Sequence, residues 1–277
     1  MVVGPRLDLA ATRANSLSFG EPLHHYQRRE STQAVARQLA DDGAPEGTVV
    51  IADEQTAGRG RLGNSFSSPP GGLYLSLVLR PSLPASQAPV VGLALGLAVA
   101  ESVQALTGLE AVLKWPNDVL IGGRKLSGVL IDLATSGERV RWAIAGVGVN
   151  VNVASFSGEL RTTATSLFRE LGHEIGIDAL RAELLARFEG HYVELLANGP
   201  RPLIERWAAA PNCLGRIVRI SAGRPEPCLP RERALEGFEG VAEGLDRDGA
   251  LLVRLRDGQL RRVIAAEVHL LPLSWPD

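Results

Sequence analysis

Six residues, Gly58-Arg59-Gly60-Arg61-Leu62-Gly63, bring three glycines and two arginines together directly after the apolar run Thr48-Val49-Val50-Ile51-Ala52. Glycine lets a loop take left-handed dihedrals and lets its backbone come close to a ligand. Arginine offers a planar, permanently charged fork that suits phosphates and carboxylates. At the end of a strand, such a loop reads as an anion site. The string also fits the G-x-G-x-x-G dinucleotide fingerprint, but that fingerprint needs its third glycine to open a helix facing the pyrophosphate. Here the chain runs on through Ser67-Ser68-Pro69-Pro70-Gly71-Gly72, where two prolines and two glycines stop any helix. The acidic ribose partner expected about 20 residues on is also missing, since Leu79-Arg80-Pro81 stands there. The anion must therefore be held by guanidinium groups and loop amides instead of a helix dipole. The plainer alternative is a surface hairpin with solvated arginines.

Three more segments carry residues of the same chemical kind. Glu30-Ser31-Thr32-Gln33 stands at the start of a helix, where Ser31 could serve simply as an N-cap. Lys114-Trp115-Pro116-Asn117-Asp118, followed by Arg124-Lys125-Leu126-Ser127-Gly128, supplies two lysines and a carboxylate. Taken alone, Lys114 suits a solvated strand end, Lys125 a wet hairpin tip, and Asn117 and Asp118 an ordinary turn. Gly146-Val147-Gly148-Val149-Asn150 could mark a close strand crossing. Each segment has an ordinary structural role available, and their occurrence together in this order is what points to one site.

The elements that would position them follow from periodicity. Strands are expected at 48–52 and 73–80, then a long apolar helix over 87–106 closed by Gly108. A strand over 111–115 stops at Pro116. Val119 to Leu133 reads as a hairpin with Gly122 and Gly123 at its tip, and Arg141 to Val153 as a further strand. Leu180, Leu184, Phe188, Tyr192 and Leu195 recur every three to four residues and make one helical stripe. After about residue 213 the chain changes to short β runs at 217–220, 237–245, 251–255 and 262–271 with Asp-Gly turns, which describes a small barrel. Periodicity gives an α+β class without a strand order.

Taken together, these motifs make the sequence closely resemble the biotin protein ligases. The matching motifs are GRGRLG (58–63), KWPNDV (114–119), RKLSGVLID (124–132) and GVGVNVN (146–152), with STQ (31–33) in place of the family's Ser-Thr-Asn. The resemblance covers about residues 28–271. It implies a mixed β-sheet flanked by helices over 28–211 and a small SH3-like barrel over 212–277, with residues 1–27 as an extension too short for the helix-turn-helix domain of bifunctional members. It further implies an ATP- and Mg²⁺-dependent reaction that makes biotinyl-5′-AMP and passes biotin to a lysine of a biotin carboxyl carrier protein. On this likeness Ser31, Thr32, Gln33 and Gln55 hold the ureido head. Gly58, Gly60 and Gly128 lend backbone amides, and Trp115 an apolar wall. Arg59, Arg61 and Lys125 hold the carboxylate and phosphates, with Lys125 and Arg61 the catalytic pair. Phe66, Asn117 and Asn150 contact the nucleotide, and Asp118 lies near Mg²⁺. Rival readings are a lipoate or octanoate ligase of the same fold and a non-catalytic binder of the adenylate. Phe66 stands where the family often has Trp, and Leu62 and Asn64 where some members carry arginines.

The bulk numbers agree. The 277 residues allow a full core and two domains. A net charge of −2 argues against a dedicated nucleic-acid binder, so no DNA partner is expected. The two cysteines, Cys213 and Cys228, make no metal spacing and no disulfide framework. The longest apolar run, Ala88 to Ala100, is shorter than the roughly 20 residues a bilayer span needs, and the N-terminus lacks a signal-peptide pattern. A cytoplasmic enzyme without a membrane partner is expected. The family also pairs subunits through an exposed sheet edge, which leaves a homodimer open.

Overall fold

The computed structural model describes residues 19–221 and 237–272. A seven-stranded sheet in the order β1-β2-β3-β7-β6-β5-β4 forms the larger part. Its strands are β1 (Leu23–Arg29), β2 (Val49–Gln55), β3 (Leu73–Leu79), β4 (Val112–Lys114), β5 (Asp118–Ile121), β6 (Arg124–Ser136) and β7 (Arg139–Val149). Only β1 and β2 pair in parallel, and every other pairing is antiparallel, so the sheet is mixed.

Two faces follow from the alternation of side chains along β3 and β7. Leu73, Leu75, Leu77 and Leu79 join Ala143, Ala145 and Val147 in the main core beside the long helix α2 (Pro89–Thr107). Proline opens α2 and Gly108 closes it in the left-handed region at φ 72°, as the Pro-start, Gly-stop rule leads one to expect. Helix α5 (Ile177–Asn198) packs its predicted Leu180–Leu195 stripe on α2. Helix α2 has the length and composition of a membrane span, yet 72% of that window is buried inside the protein, which makes it a core helix. On the other face, Val78, Trp142 and Ile144 pack against Ala36 and Ala40 of α1 (Thr32–Asp41). Past the end of this smaller cluster, the same face carries Ser76, Gly146 and Gly148 instead of large side chains, and a cavity results.

The smaller part is a five-stranded antiparallel sheet in the order β11-β10-β9-β8-β12. It comprises β8 (Ile217–Ser221), β9 (Phe238–Leu245), β10 (Leu251–Arg254), β11 (Leu260–Val263) and β12 (Glu267–Leu270). Its apolar side chains share one continuous core with the larger part, reached through α6 (Pro200–Ala209). Short helices α3 (Leu160–Thr163) and α4 (Leu167–Leu171) cover the end of β6 and β7.

Three local differences from the sequence reading have plain causes. Strand β1 begins at Leu23, inside the stretch expected to precede the ordered fold. As an edge strand it is largely exposed and reads LHHYQRR, so it carries little apolar alternation. The expected run at 262–271 divides into β11 and β12. Lys125 lies within β6, while Gly122 and Gly123, at φ 55° and 77°, make the tip alone. Cys228 and residues 1–18 lie outside the described residues. Cys213 is buried, its sulfur accepting the Trp115 amide at 3.4 Å, and burial pushes its thiol pKa up.

Candidate active site

One cavity of about 280 Å³ receives residues from all four segments and from the C-terminal sheet. Its floor is the glycine patch of β6 and β7. A methyl group added at Gly146 would sit 2.3 Å from Gln33 Oε1, and one at Gly148 would sit 2.5 Å from the Phe66 ring. Glycine is required at both because a side chain from another segment already rests on the bare backbone. Gly128 is similarly tight, with Lys125 Nζ at 3.2 Å and Phe66 at 3.4 Å.

The polar end of the cavity is a connected set of side chains. Gln33 donates from Nε2 to the Ile144 carbonyl at 3.1 Å, and its Oε1 accepts from Ser76 Oγ at 2.9 Å. Ser76 is also 2.9 Å from Thr32 Oγ1. Gln55 Oε1 accepts from the Thr32 amide at 2.8 Å and from its hydroxyl at 3.1 Å, and Gln55 Nε2 donates to Ser68 Oγ. Ser31 occupies the N-cap position of α1, but its hydroxyl makes no cap bond. That hydroxyl is buried at the cavity wall without a protein partner. Buried hydroxyls are nearly always paired, so Ser31 is a group for a ligand to satisfy. Amide-like donors and acceptors surrounding a small volume suit a polar head such as a cyclic urea.

The charged end faces it. Residues 58–66 fold into a compact hairpin, with the Gly60 amide on the Asn64 carbonyl (2.8 Å) and the Phe66 amide on the Gly58 carbonyl (2.9 Å). Leu62 takes the left-handed region at φ 57°, and no helix follows, so the dinucleotide fingerprint has no geometric basis here. Arg59 and Arg61 project from this hairpin into the cavity, and Arg61 Nη1 reaches Asn117 Oδ1 at 3.4 Å. Asn117 is fixed in turn by its Nδ2 bond to the Val129 carbonyl. Across from the arginines, Asp118 lies between two ammonium groups, Lys125 at 2.6 Å and Lys114 at 2.9 Å. Burial raises the Asp118 pKa, and the nearby charges of Lys125 and Lys114 outweigh that, so it lies below the usual carboxylate range. Two lysines compensating Asp118 and two arginines from the hairpin thus line one cavity, an arrangement suited to accept anions.

Most of the expected site residues converge. Ser31, Thr32, Gln33, Gln55, Arg59, Gly60, Arg61, Phe66, Trp115, Asn117, Asp118, Lys125 and Gly128 all line the cavity. Gly58 stands just behind the lining, where an added methyl would meet the Phe66 carbonyl at 2.4 Å, so its work is to close the hairpin. Asn150 follows Gly146 and Gly148 on the same face but does not line the cavity. It is buried, Nδ2 donates to the Thr165 carbonyl at 2.9 Å, and Oδ1 lacks a protein partner. Trp115 is 1% exposed and donates its indole N–H to the Gly249 carbonyl at 2.9 Å, which ties the motif to the C-terminal sheet. For a divalent cation the residues present offer no cage. Among the described residues no group of three or more His, Cys, Asp or Glu converges, and Asp118 is taken by the lysines. Sequence reasoning missed Ser76, Glu267 and His269. Ser76 sits in an apolar strand pattern, and the other two lie in the C-terminal sheet about 200 positions from the loop they face.

Comparison with known proteins agrees with this geometry. Residues 26–150 match the biotin/lipoate A/B protein ligase family, and residues 236–271 match the biotin protein ligase C-terminal domain. The bifunctional ligase/repressor BirA of Bacillus spizizenii is 36% identical over 256 residues, covering 91% of this chain and 75% of the relative. The biotin--[acetyl-CoA-carboxylase] ligase of Paracoccus denitrificans is 35% identical over 247 residues, covering 87% of this chain and 97% of the relative. Among solved structures, the biotin protein ligase from Aquifex aeolicus in complex with biotin and ATP has a TM-score of 0.74 at 28% identity, covering 91% of this chain and 99% of that one. Two domain matches in the right order, together with relatives aligned over most of both chains, place this chain in the biotin protein ligase family.

Proposed function

We infer that the chain is an ATP-dependent ligase that activates biotin as biotinyl-5′-AMP and transfers it to a lysine of a biotin carboxyl carrier protein. The observation that carries this is the single cavity with a polar head pocket at one end and four cations at the other. Family membership supports the same reaction.

In the first step a carboxylate oxygen of biotin forms a bond to the α-phosphorus of ATP, and pyrophosphate leaves with the electron pair of the broken P–O bond. Two anions must approach each other, which costs Coulomb energy unless cations sit between them. Lys125 is the bridging cation, and Arg59 and Arg61 hold the carboxylate and phosphates from the hairpin side. Ser31, Thr32, Gln33 and Gln55 fix the ureido head, with Ser76 as their support, so that the acid arrives aligned. Phe66, seated over Gly148, offers a flat ring for the adenine to pack on, and the unpartnered Oδ1 of Asn150, buried behind the cavity lining, is the acceptor left for the adenine amine. Mg²⁺ arrives with the nucleotide and keeps much of its water shell. In the second step the carrier amine attacks the acyl carbon, AMP leaves, and the amine gives up a proton. Lys125 then stabilises charge developing on the acyl oxygen. Neither step needs a covalent enzyme intermediate. A cytoplasmic setting, where ATP and carrier meet, fits this chemistry. Among the described residues β1 is an edge strand with only β2 beside it, which suits pairing with a second subunit or with the carrier.

Exchange of labelled pyrophosphate into ATP tests this reading, with biotin, lipoate and octanoate compared as the acid. Exchange with biotin alone is the expected result. Exchange with lipoate or octanoate instead would move the chain to the sister activity.

A further inference from the structure

The C-terminal sheet does more than adjoin the cavity. Ala266, Glu267, Val268 and His269 form part of its wall, and one contact crosses from this wall to the arginine hairpin. Asn64 Nδ2 donates to Glu267 Oε1 at 2.7 Å, a bond between residues 203 positions apart. A carboxylate beside an anion site opposes the ligand's charge, so Glu267 calls for a reason, and the reason is what it holds.

We propose that Glu267 is a positioning residue that latches the arginine hairpin over the active site through Asn64. This rests on the ligase reading for its role in catalysis, while the latch itself is a feature of the fold.

Both ends of the latch are suited to it. On the hairpin, Asn64 is tied to the arginine it would position. Its amide donates to the Arg61 carbonyl at 3.0 Å, and its carbonyl accepts from the Gly60 amide at 2.8 Å. Holding the Asn64 side chain therefore fixes the turn that carries Arg61, whose guanidinium reaches Asn117. On the other side the anchor is rigid. Glu267 pairs with Ser221 in the β12–β8 ladder, and its neighbours Ala266 and Val268 are 2% and 3% exposed. That sheet is itself pinned to the catalytic part where Trp115 donates to Gly249, and Gly249 rests on Val90 and Leu93 of α2. The tip of the hairpin, by contrast, carries exposed Arg59, Gly63, Asn64 and Ser65 and puts Leu62 in the left-handed region, while the packed ring of Phe66 lies at its base. Few buried contacts hold such a segment closed, so one hydrogen bond to a fixed carboxylate shifts its opening measurably.

The bond is exposed, and the Glu267 side chain is 40% accessible, which sets a modest scale. Losing one such bond corresponds to a change of roughly three- to tenfold in the population of the open hairpin. Trypsin reads this directly in the ligand-free protein by cutting after Arg59 and Arg61. Glu267→Ala and Asn64→Ala are each expected to speed that cleavage roughly three- to tenfold, and the double variant no more than either single one. Glu239→Ala, which removes an ion pair with Arg219 elsewhere on the same sheet, is expected to leave it unchanged. Release of preformed biotinyl-adenylate should quicken in the same two variants and slow in Asn64→Arg, where a cation meets Glu267. Unchanged cleavage in the single variants, effects that multiply in the double variant, or an equal effect from Glu239→Ala would overturn the latch. If the wild type forms no adenylate, the ligase reading fails, and the trypsin experiment still decides the latch.

Discussion

Gly146→Ala is a one-methyl change whose consequence can be worked from the geometry. Gly146 sits in β7 between Ser76 of β3 and Leu130 of β6, so its backbone cannot move aside. The new methyl would lie 2.3 Å from Gln33 Oε1 and 3.1 Å from its Cδ. A glutamine end is flexible in general, but this one is buried and tethered twice, to the Ile144 carbonyl and to Ser76 Oγ. Displacing it breaks both bonds at about 1 kcal/mol each. That cost of about 2 kcal/mol falls on folding, while biotin binding loses the one or two ligand hydrogen bonds that the displaced Gln33 and its neighbour Ser76 would make, about 1–2 kcal/mol or roughly five- to thirtyfold in affinity. Titration calorimetry with biotin measures this. Gly244→Ala in β9, where an added methyl meets nothing within 4 Å, is the control. Biotin affinity in Gly146→Ala within about twofold of wild type would refute the reasoning, because the methyl could not then have displaced a pocket residue.

Lys125→Ala should fold normally and lose adenylate formation by about 10²–10³-fold, as expected for removal of a preorganised charge; near-wild-type pyrophosphate exchange would remove Lys125 from its role. Asp118→Asn leaves Lys114 and Lys125 facing each other, and the partial exposure of the lysines limits the stability loss to about 1–3 kcal/mol. Because the folded Asp118 pKa is lowered, its contribution is present above the unfolded carboxylate pKa and is lost as pH falls through the folded one. Urea unfolding should therefore separate wild type from Asp118→Asn near neutral pH, and the gap should shrink steadily as pH falls below the usual carboxylate range; a gap that does not shrink in acid would contradict this. Trp115→Phe leaves the Gly249 carbonyl without its donor and opens a small void, so the unfolding free energy should fall by about 2–4 kcal/mol; an unchanged denaturation midpoint would show that the contact holds nothing.

How much of this was legible depends on the range of the interactions. The arginine hairpin at the end of β2, the Gly108 stop of α2, the α5 stripe and the Gly122-Gly123 tip are local, and each is written in a few adjacent residues. The convergence of Ser31, Gln55, Arg61, Lys114 and Lys125 was legible only through the motif combination, since no period or spacing brings those positions together. Trp115 lined the site as expected, yet its indole works as a tie to Gly249, 134 positions away. Asp118 was read as lying near Mg²⁺, and its pairing with two lysines, one of them seven positions away across a strand pair, carried no local signal. Glu267 gave no local signal, because a glutamate in a short polar strand looks like solvated surface until the strand is seen against the hairpin. Ser76 was hidden for a different reason: β3 is buried throughout, and one serine in an apolar run reads as filler until its polar neighbours Thr32 and Gln33 are located.

Incubating the chain with ATP, biotin and a biotin carboxyl carrier domain, followed by intact-mass and peptide mass spectrometry, tests the ligase assignment most directly. A single biotinyl group on one carrier lysine, with AMP and pyrophosphate formed in equal amounts, is the expected result. A carrier left unmodified while the chain still binds biotin and ATP would contradict it and leave a site that gathers the substrates without joining them.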